Sequence, residues 1–286
     1  MSRFVPSIPS DPSRLDELVE LVRHKRLAVL TGAGCSTASG IPDYRGPETS
    51  KKKRSPILYS EFVRDEAARR RYWARSAIGW PVIRHAQPND AHHALARLER
   101  AGHLTGVITQ NVDGLHRQAG SRDVLELHGR LADVICLDCR TVVSRDEVQT
   151  TITTNNPGWI ADHIGELAPD GDVELPDTVP DDFHLPCCHR CGGILKPHVV
   201  FFGENVAKPV VSRAWEIVHS ADALLVVGSS LTVYSGYRFV RGAYQQKIPV
   251  AIVNLGKTRG DDHACLLVAS RVGQALRHLA QSLDNP

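Results

Sequence analysis

The sequence predicts an α/β protein whose core is a parallel, doubly wound sheet, with a small metal-held module and a charged helical stretch inserted into it. Two observations carry this reading. Apolar runs of strand length alternate with amphipathic helical segments along most of the chain, which is the pattern of strands buried on both faces by crossover helices. Two CxxC pairs, Cys136–Cys139 and Cys188–Cys191, fall in a turn-rich stretch that breaks the alternation.

In chain order, residues 15–22 place apolar side chains at 15, 18, 21 and 22, a helical spacing, and the run Leu27-Ala28-Val29-Leu30-Thr31 reads as a buried strand. A glycine loop, Gly32-Ala33-Gly34, follows and opens toward a helix. Strand grammar recurs at 104–109, 223–228 and 249–254, with helical segments at 91–100, 210–219 and 272–283. Residues 46–80 form a charged, helical insertion containing Arg69, Arg70, Arg71, Tyr72, Trp73 and Arg75. Between 131 and 195 the chain is cut by Asn155-Asn156-Pro157-Gly158, Pro169-Asp170-Gly171-Asp172 and Pro176-Asp177, so this stretch has little core of its own and needs a metal to hold it. The expected division is a discontinuous large domain (1–45, 81–130 and 195–286), the helical insertion (46–80) and the zinc-binding module (131–194).

Composition narrows the function. A chain of 286 residues, 42% hydrophobic, can bury a sizeable core, and its formal net charge of +2 supplies no global basic field for nucleic acid. The basic run Lys51-Lys52-Lys53-Arg54 reads as a solvated loop or a local anion or partner contact. No stretch of about 20 apolar residues suggests a membrane helix, and residues 1–11 resemble neither a signal peptide nor a transit peptide. A reducing cytoplasm is expected, with Cys35, Cys187 and Cys265 left as free thiols.

Four thiols in two CxxC pairs can close a tetrahedral zinc shell, leaving no open position for chemistry. Cys187 would give a CxxxC spacing, so Cys188 is preferred; a redox CxxC would need only one pair. The loop Gly32-Ala33-Gly34-Cys35-Ser36 at a strand end suits a pyrophosphate, yet Thr37 stands where the dinucleotide fingerprint has its third small residue, and an ordinary tight turn would also explain it. Gly228-Ser229-Ser230 is a second small-residue loop at the same sheet edge, where ligands bind in such folds. Gln110, Asn111 and Asp113 lie just past the strand at 104–109, either facing a ligand or capping the next helix. His128 is open to three readings: core histidine, metal ligand, or base near neutral pH.

With these residues in view, the chain resembles the sirtuins, the NAD-dependent protein deacylases. The carrying motifs are the run from Gly32 through Ile41-Pro42-Asp43-Tyr44-Arg45, Thr109-Gln110-Asn111-Val112-Asp113-Gly114-Leu115-His116, Leu127-His128-Gly129, both CxxC pairs, Lys196-Pro197-His198-Val199-Val200-Phe201-Phe202-Gly203-Glu204, Gly228-Ser229-Ser230-Leu231 and Asn254-Leu255-Gly256. They run in family order from about 27 to 275. Tyr72-Trp73-Ala74-Arg75, Pro169-Asp170-Gly171-Asp172 and Val233-Tyr234-Ser235-Gly236-Tyr237-Arg238 make it similar to the class II branch that contains the mitochondrial sirtuin 4.

The resemblance implies a Rossmann-like NAD-binding domain with a zinc-binding module, one Zn2+ per subunit, and NAD and acyl-lysine meeting in the cleft between them. It implies that Gly32, Ala33, Gly34, Ser36, Asp43, Tyr44, Arg45, Gln110, Asn111, Val112, Asp113, Gly228, Ser229, Ser230, Asn254, Leu255, Gly256 and Val272 bind the cofactor, with Asn111 and Asp113 at the nicotinamide. His128 and Asn111 are the implied catalytic residues: the substrate amide oxygen attacks the ribose carbon as nicotinamide leaves, and His128 then accepts a proton from a ribose hydroxyl. Products are free lysine, nicotinamide and O-acyl-ADP-ribose.

Val199, Phe201, Phe202, Gly203, Tyr234 and Gly236 would hold an extended peptide through its main chain. Tyr72 and Arg75, three apart on a helix, match the Tyr-x-x-Arg pair with which desuccinylating sirtuins hold an acyl carboxylate, or else belong to a solvated basic helix. His198 departs from the family's usual Asp. The implied partners are NAD and acylated lysine in proteins, with no nucleic acid, no membrane and a monomeric state; the mitochondrial matrix is the alternative to the cytoplasm in a eukaryote. ADP-ribosyl transfer to protein and lipoyl-lysine cleavage are competing activities of the same pocket. A non-catalytic NAD-binding scaffold with a zinc interaction module, and a redox protein using Cys136 and Cys139, are readings of other classes.

Overall fold

The computed structural model describes residues 12–44, 56–159, 166–167, 173–174 and 182–284. Arg45, the basic run 51–54, and the turn segments 169–172 and 176–177 lie outside the described residues. Six parallel strands, β1 (Leu27–Thr31), β2 (Leu104–Thr109), β3 (Val124–Glu126), β9 (Ala223–Val227), β10 (Val250–Val253) and β11 (Leu266–Val268), pair in the order β11-β10-β9-β1-β2-β3.

Every residue of β1 is buried, because helices cover both faces of the sheet. Leu27 and Val29 point into a core shared with α1 (Pro12–Val22), α4 (Asp90–Arg100) and α9 (Val272–Asp284). Ala28 and Leu30 point the other way, into a core shared with α7 (Lys208–His219) and α8 (Tyr234–Gln245). The chain lays β2 and β3 on one side of β1, and later β9, β10 and β11 on the other. The strand order therefore reverses between β1 and β9, which opens a crevice at their carboxyl ends.

A second, antiparallel sheet of order β5-β4-β8 joins β4 (Gly129–Cys136), β5 (Val142–Ser144) and β8 (Leu195–Val199), and a short pair, β6 (Glu166–Leu167) and β7 (Val173–Glu174), lies in the same stretch of chain. The sequence pattern gave no helix here, yet α6 (Arg145–Asn155) forms. Ser144 caps it by accepting from Asp146 N at 3.1 Å, and Val148 and Ile152 are buried one turn apart. Its Thr150, Thr151 and Thr153 hydroxyls donate back to carbonyls four residues earlier, which hides the helix from a propensity reading.

The expectation that a metal alone must hold this stretch is also corrected. Tyr72, Trp73 and Trp80 of α3 (Glu66–His85) share one apolar core with Val134, Val148, Ile152, Leu195, Cys136 and Cys188. Arg145, 1% exposed, lies between Trp73 and Trp80 at 5.3 and 5.4 Å and donates to the Ser76 carbonyl at 3.2 Å. The basic residues of α3 are also anchored: Arg69 donates to the carbonyls of Phe62 and Val63, in α2 (Tyr59–Arg64), and Arg70 pairs with Glu66.

Where α4 meets the short helix α5 (Leu115–Gln118), the buried rings of His92 and His116 stand 4.7 Å apart, close to Cys35. His92 Nδ1 accepts from Asn89 N at 3.2 Å, so its proton sits on Nε2. That ring is a donor, and the trio lacks the three free lone pairs that a metal would need. Burial holds His92 near about 4 and His116 near about 3, against an ordinary 6.5.

Folded-state values below the unfolded one mean that the unfolded chain binds protons the fold refuses. Stability is complete above about pH 7 and is lost as pH falls through the window between the unfolded and folded values. The raised carboxyl of buried Asp113 works in the opposite direction and offsets part of this. We expect a loss of about 3 kcal/mol between about pH 7 and about pH 5. Urea midpoints at the two pH values measure it, and equal midpoints would show that the two rings take up protons in the folded protein.

Candidate active site

The crevice between β1 and β9 is the mouth of a cleft of about 1940 Å³. The segment after β1 does not open into an α-helix as its sequence suggests. It makes two 3-10 turns, Ala33–Cys35 and Thr37–Ser39, because its N–H groups are spent on the neighbouring loop and on short local bonds: Gly34 N donates to Gly228 O at 2.9 Å, and Cys35 N to Gly32 O at 2.9 Å. The two glycine loops interlock. A Cβ on Gly32 would lie 2.7 Å from Ser229 Cβ, and one on Gly228, whose φ is +60°, would lie 2.6 Å from Cys35 N. A helix start does face the cleft, but it belongs to α9, whose Val272, Gly273 and Gln274 line it.

Asn89 fastens this floor. Its amide donates to Cys35 O and Ser39 Oγ, both at 2.9 Å, while its Oδ1 caps α4 by accepting from Ala91 N. Behind the wall runs a chain of polar groups. Asn111 Nδ2 donates to Gly32 O at 3.1 Å and to Ser36 Oγ at 3.0 Å, and Ser36 in turn donates to Asp113 Oδ2 at 2.6 Å. Asp113 Oδ1 also accepts from Leu115 N at 2.9 Å, so the cap reading of this residue is realised, with its other oxygen held by Ser36 behind the cleft wall. Burial raises its carboxyl above the usual range, and the two hydrogen bonds oppose that rise. Gln110 spans both loops, donating to Thr31 O at 3.2 Å and Ser229 Oγ at 2.8 Å.

His128 lines the cleft opposite these groups. Its Nδ1 is 3.0 Å from the Gln110 carbonyl, which can only accept, so the ring proton sits on Nδ1 and Nε2 is the basic nitrogen. Burial lowers its pKa, the Gln110 bond raises it, and the charge of Arg238 lowers it further; the net direction is down. The lowered pKa favours the neutral imidazole at neutral pH. Ser235, to which the sequence assigned no role of its own, holds Nε2 at 2.7 Å.

The far wall is the segment after β8, which ends at Val199 rather than running on as a strand to Gly203. Lys196, buried on β8, pairs with Glu204 at 2.9 Å and lies 4.7 Å over the Phe201 ring; Glu204 also accepts from Phe201 N at 2.9 Å. Val200 N donates to His128 O at 2.8 Å, and Phe202 O accepts from Tyr59 N at 2.9 Å, so this wall is tied to the base and to α2. His198 points to solvent on β8 and is not among the residues lining the cleft.

Of the sequence-predicted residues, Gly32, Ala33, Gly34, Asp43, Tyr44, Gln110, Asn111, Val112, His128, Gly228, Ser229, Ser230, Asn254, Leu255, Gly256 and Val272 line this one cleft, together with Val199, Phe201, Phe202, Gly203, Tyr234 and Tyr72. Ser36, Asp113, Gly236 and Arg75 are not among the lining residues. Tyr234 and Gly236 fall in the first turn of α8, so the extended backbone there ends at Val233. Tyr72 packs edge-on to Phe62, and Arg75, one turn along α3, is half-buried.

The four paired cysteines converge, with every Sγ within 4.8 Å of the others, Cys136 to Cys191 at 3.6 Å and Cys139 to Cys188 at 3.7 Å. Tetrahedral zinc with bonds of about 2.3 Å sets its sulfurs about 3.8 Å apart, whereas a disulfide needs about 2.05 Å. The set fits a zinc ion, held by four thiolates that leave it no open position.

Two interlocked glycine loops at a topological switch point, a neutral histidine facing them and a remote four-cysteine site define an α/β dinucleotide-binding enzyme with a zinc module. The chain belongs to the Sir2 family, which it matches over residues 32–235. It is 53% identical over 259 residues to the NAD-dependent protein deacetylase 2 of Bradyrhizobium diazoefficiens, covering 91% of this chain and 94% of that one. It is 50% identical over 278 residues to the human mitochondrial NAD-dependent protein lipoamidase sirtuin-4, covering 96% and 88%. Among solved structures it is similar to Sir2 with a p53 peptide and NAD+, at a TM-score of 0.74 and 31% identity, covering 93% of this chain and 97% of that one.

A zinc ion in this shell would tie β4 and the strand-like turn before β8 together, so Cys139→Ser should lose the metal and destabilise the fold. A cost of about 3 kcal/mol corresponds to a fall of roughly 6–12 °C in Tm for a chain of this size. Bound zinc and thermal unfolding, measured on the same sample, test this; normal values of both would remove Cys139 from the ligand set.

Proposed function

We propose that the protein is an NAD-dependent protein lysine deacylase, a deacetylase that passes the acyl group to ADP-ribose with release of nicotinamide. The observation that carries this reading is His128, a neutral imidazole with its basic nitrogen turned into the cleft where the glycine loops, Asn111 and the Val199–Gly203 wall converge. When bound, NAD supplies the ribose carbon that takes the acyl oxygen as nicotinamide leaves.

The chain's own residues divide the remaining work. The loops at Gly32 and Gly228 seat the diphosphate and adenosine parts beside Asn254 and the start of α9. Asn111, held by Gly32 O and Ser36, presents a preorganised polar wall to the nicotinamide amide, and Asp113, held by Ser36 and Leu115 N, backs it from behind. His128 Nε2 receives the proton of a ribose hydroxyl, and its lowered pKa keeps it in the accepting form at neutral pH. The wall from Val199 to Gly203, irregular beyond the end of β8, offers its remaining main-chain groups to a peptide, which reads backbone more than sequence.

The same reading has the protein act as a monomer on acylated lysines in a reducing, cytoplasmic setting; support for the reducing setting is the gathering of four of its cysteines into a metal-type cluster. Among the described residues no helix is long and apolar enough to cross a membrane. Lipoyl-lysine cleavage is the second reading, supported by the 50% identity to the human protein named a lipoamidase.

Two expected outcomes follow from the roles of His128 and Asp113. His128→Ala should lower NAD-dependent deacetylation by about 10²–10⁴-fold while largely sparing NAD binding; turnover within a few-fold of wild type would remove the base role. Asp113→Asn should weaken nicotinamide inhibition and turnover together, on the order of tenfold, since one of the two carboxylate oxygens that accept from Ser36 and Leu115 N becomes a donor. Unchanged nicotinamide inhibition would reduce Asp113 to a helix cap. Comparing acetyl-, lipoyl- and acidic acyl-lysine peptides on wild-type enzyme separates the two readings of the acyl group.

A further inference from the structure

His128 has a single lone pair to offer, and a side chain already holds it. With the ring proton committed to the Gln110 carbonyl, Nε2 is the only nitrogen that can accept, and the Ser235 hydroxyl donates to it at 2.7 Å. Ser235 Oγ has no other hydrogen-bond partner among the described residues.

The contact is built in. Ser235 is the second residue of α8, and the next residue, Gly236, sits so close to Gln110 that a Cβ there would lie 2.4 Å from Gln110 Oε1. Gln110 thus orients the imidazole through its backbone carbonyl and seats the start of α8 through its side chain. The charged group whose field reaches the ring is Arg238, also on α8. An alcohol against a base that a third group orients is the arrangement of an activated hydroxyl. Here it stands where the hydroxyl of a bound ribose must come.

We propose that Ser235 is a positioning residue that caps the base: it takes the Nε2 lone pair in the nucleotide-free cleft and must give it up before a ribose hydroxyl can pass its proton there. The inference rests on His128 being the base. In that step the ribose hydroxyl's proton moves to Nε2 and its oxygen forms the bond to the acyl carbon as that carbon's π bond to the lysine nitrogen breaks and its electron pair moves onto nitrogen, while the Ser235 proton stays on its own oxygen. Departure and return of nicotinamide do not use Nε2. Ser235 therefore slows the forward step without touching nicotinamide exchange, and it sets how often the enzyme goes on to deacylate rather than reverting. One neutral hydrogen bond is worth a factor of about two to ten.

The test uses full-length protein with Ser235→Ala and Ser235→Val, which lack the hydroxyl, and Ser235→Thr, which keeps it. Without NAD, the nitrogen NMR resonance of His128 Nε2 should move in the Ala and Val variants and stay in place in the Thr variant. With NAD and an acetyl-lysine peptide, the ratio of deacetylation to nicotinamide exchange should rise about two- to tenfold in Ala and Val and remain at the wild-type value in Thr. An unmoved resonance, or a ratio that is unchanged or lower in Ala and Val, overturns the cap. His128→Ala run alongside separates the failures. If it keeps deacetylation, the base assignment falls and the cap with it; if it loses deacetylation but keeps exchange while the Ser235 variants match wild type, only the cap falls.

Discussion

The close approach of two loops at the point where the strand order reverses is the constraint on which the rest of the site depends. The backbones at Gly32 and Gly228 meet with no room for a side chain between them, and Gly34 N bonds directly to Gly228 O. Drawing the loops together closes the floor of the crevice and forces the chain after β1 into short 3-10 turns. It also brings Ser229 within reach of Gln110, which carries the constraint across to β2. Each later element takes its position from one already placed: His128 from the Gln110 carbonyl, α8 from the Gln110 side chain, and the Val199–Gly203 wall from the His128 carbonyl and the Lys196–Glu204 pair.

Buried polar groups do most of this positioning, and they are well connected. Asn111, Ser36 and Asp113 form a donor-to-acceptor sequence ending on a carboxylate that also caps α5. Such a network holds a wall at hydrogen-bond precision, at the cost of burying a charge. Beneath it, burial first and a neighbouring imidazole second keep His92 and His116 neutral, and among the described residues His92 Nε2 and His116 Nδ1 have no hydrogen-bond partner. The interior beneath the nucleotide loop is thus arranged for neutral imidazoles, and the same desolvation acts on His128 at the cleft.

The smaller lobe obeys a different economy. Its two CxxC turns bring four sulfurs to a zinc spacing, but its strands and α6 also pack on Tyr72, Trp73 and Trp80, with Arg145 between the two indoles. Metal site and apolar seam adjoin, since Cys136 and Cys188 belong to the same apolar cluster as Tyr72, Trp73 and Trp80. The seam joins the lobe to α3, and Tyr72 and Phe201 lie in both the seam and the cleft wall, so packing of the lobe is felt at the site.

The sequence by itself determined the alternation of strands and helices, the four-cysteine set and the motifs of the Sir2 family, because each is written in short-range spacing: apolar runs with a glycine stop, CxxC pairs, and polar residues just past a strand end. Tertiary structure decided what depends on distant partners. The loop after Gly34 looks like a helix start until Gly228, nearly 200 residues away, takes its N–H. Helix α6 is Thr-rich and weakly amphipathic, and it is held by packing on α3 and β4 and by its Ser144 cap. Asp113 caps the next helix with one oxygen and holds Ser36 with the other, a pairing across 77 residues that spacing alone does not show. Ser235 is one serine among many until the fold sets its hydroxyl on His128, since a hydrogen bond between residues 107 apart is decided by the packing of Gly236 on Gln110 and leaves no local trace.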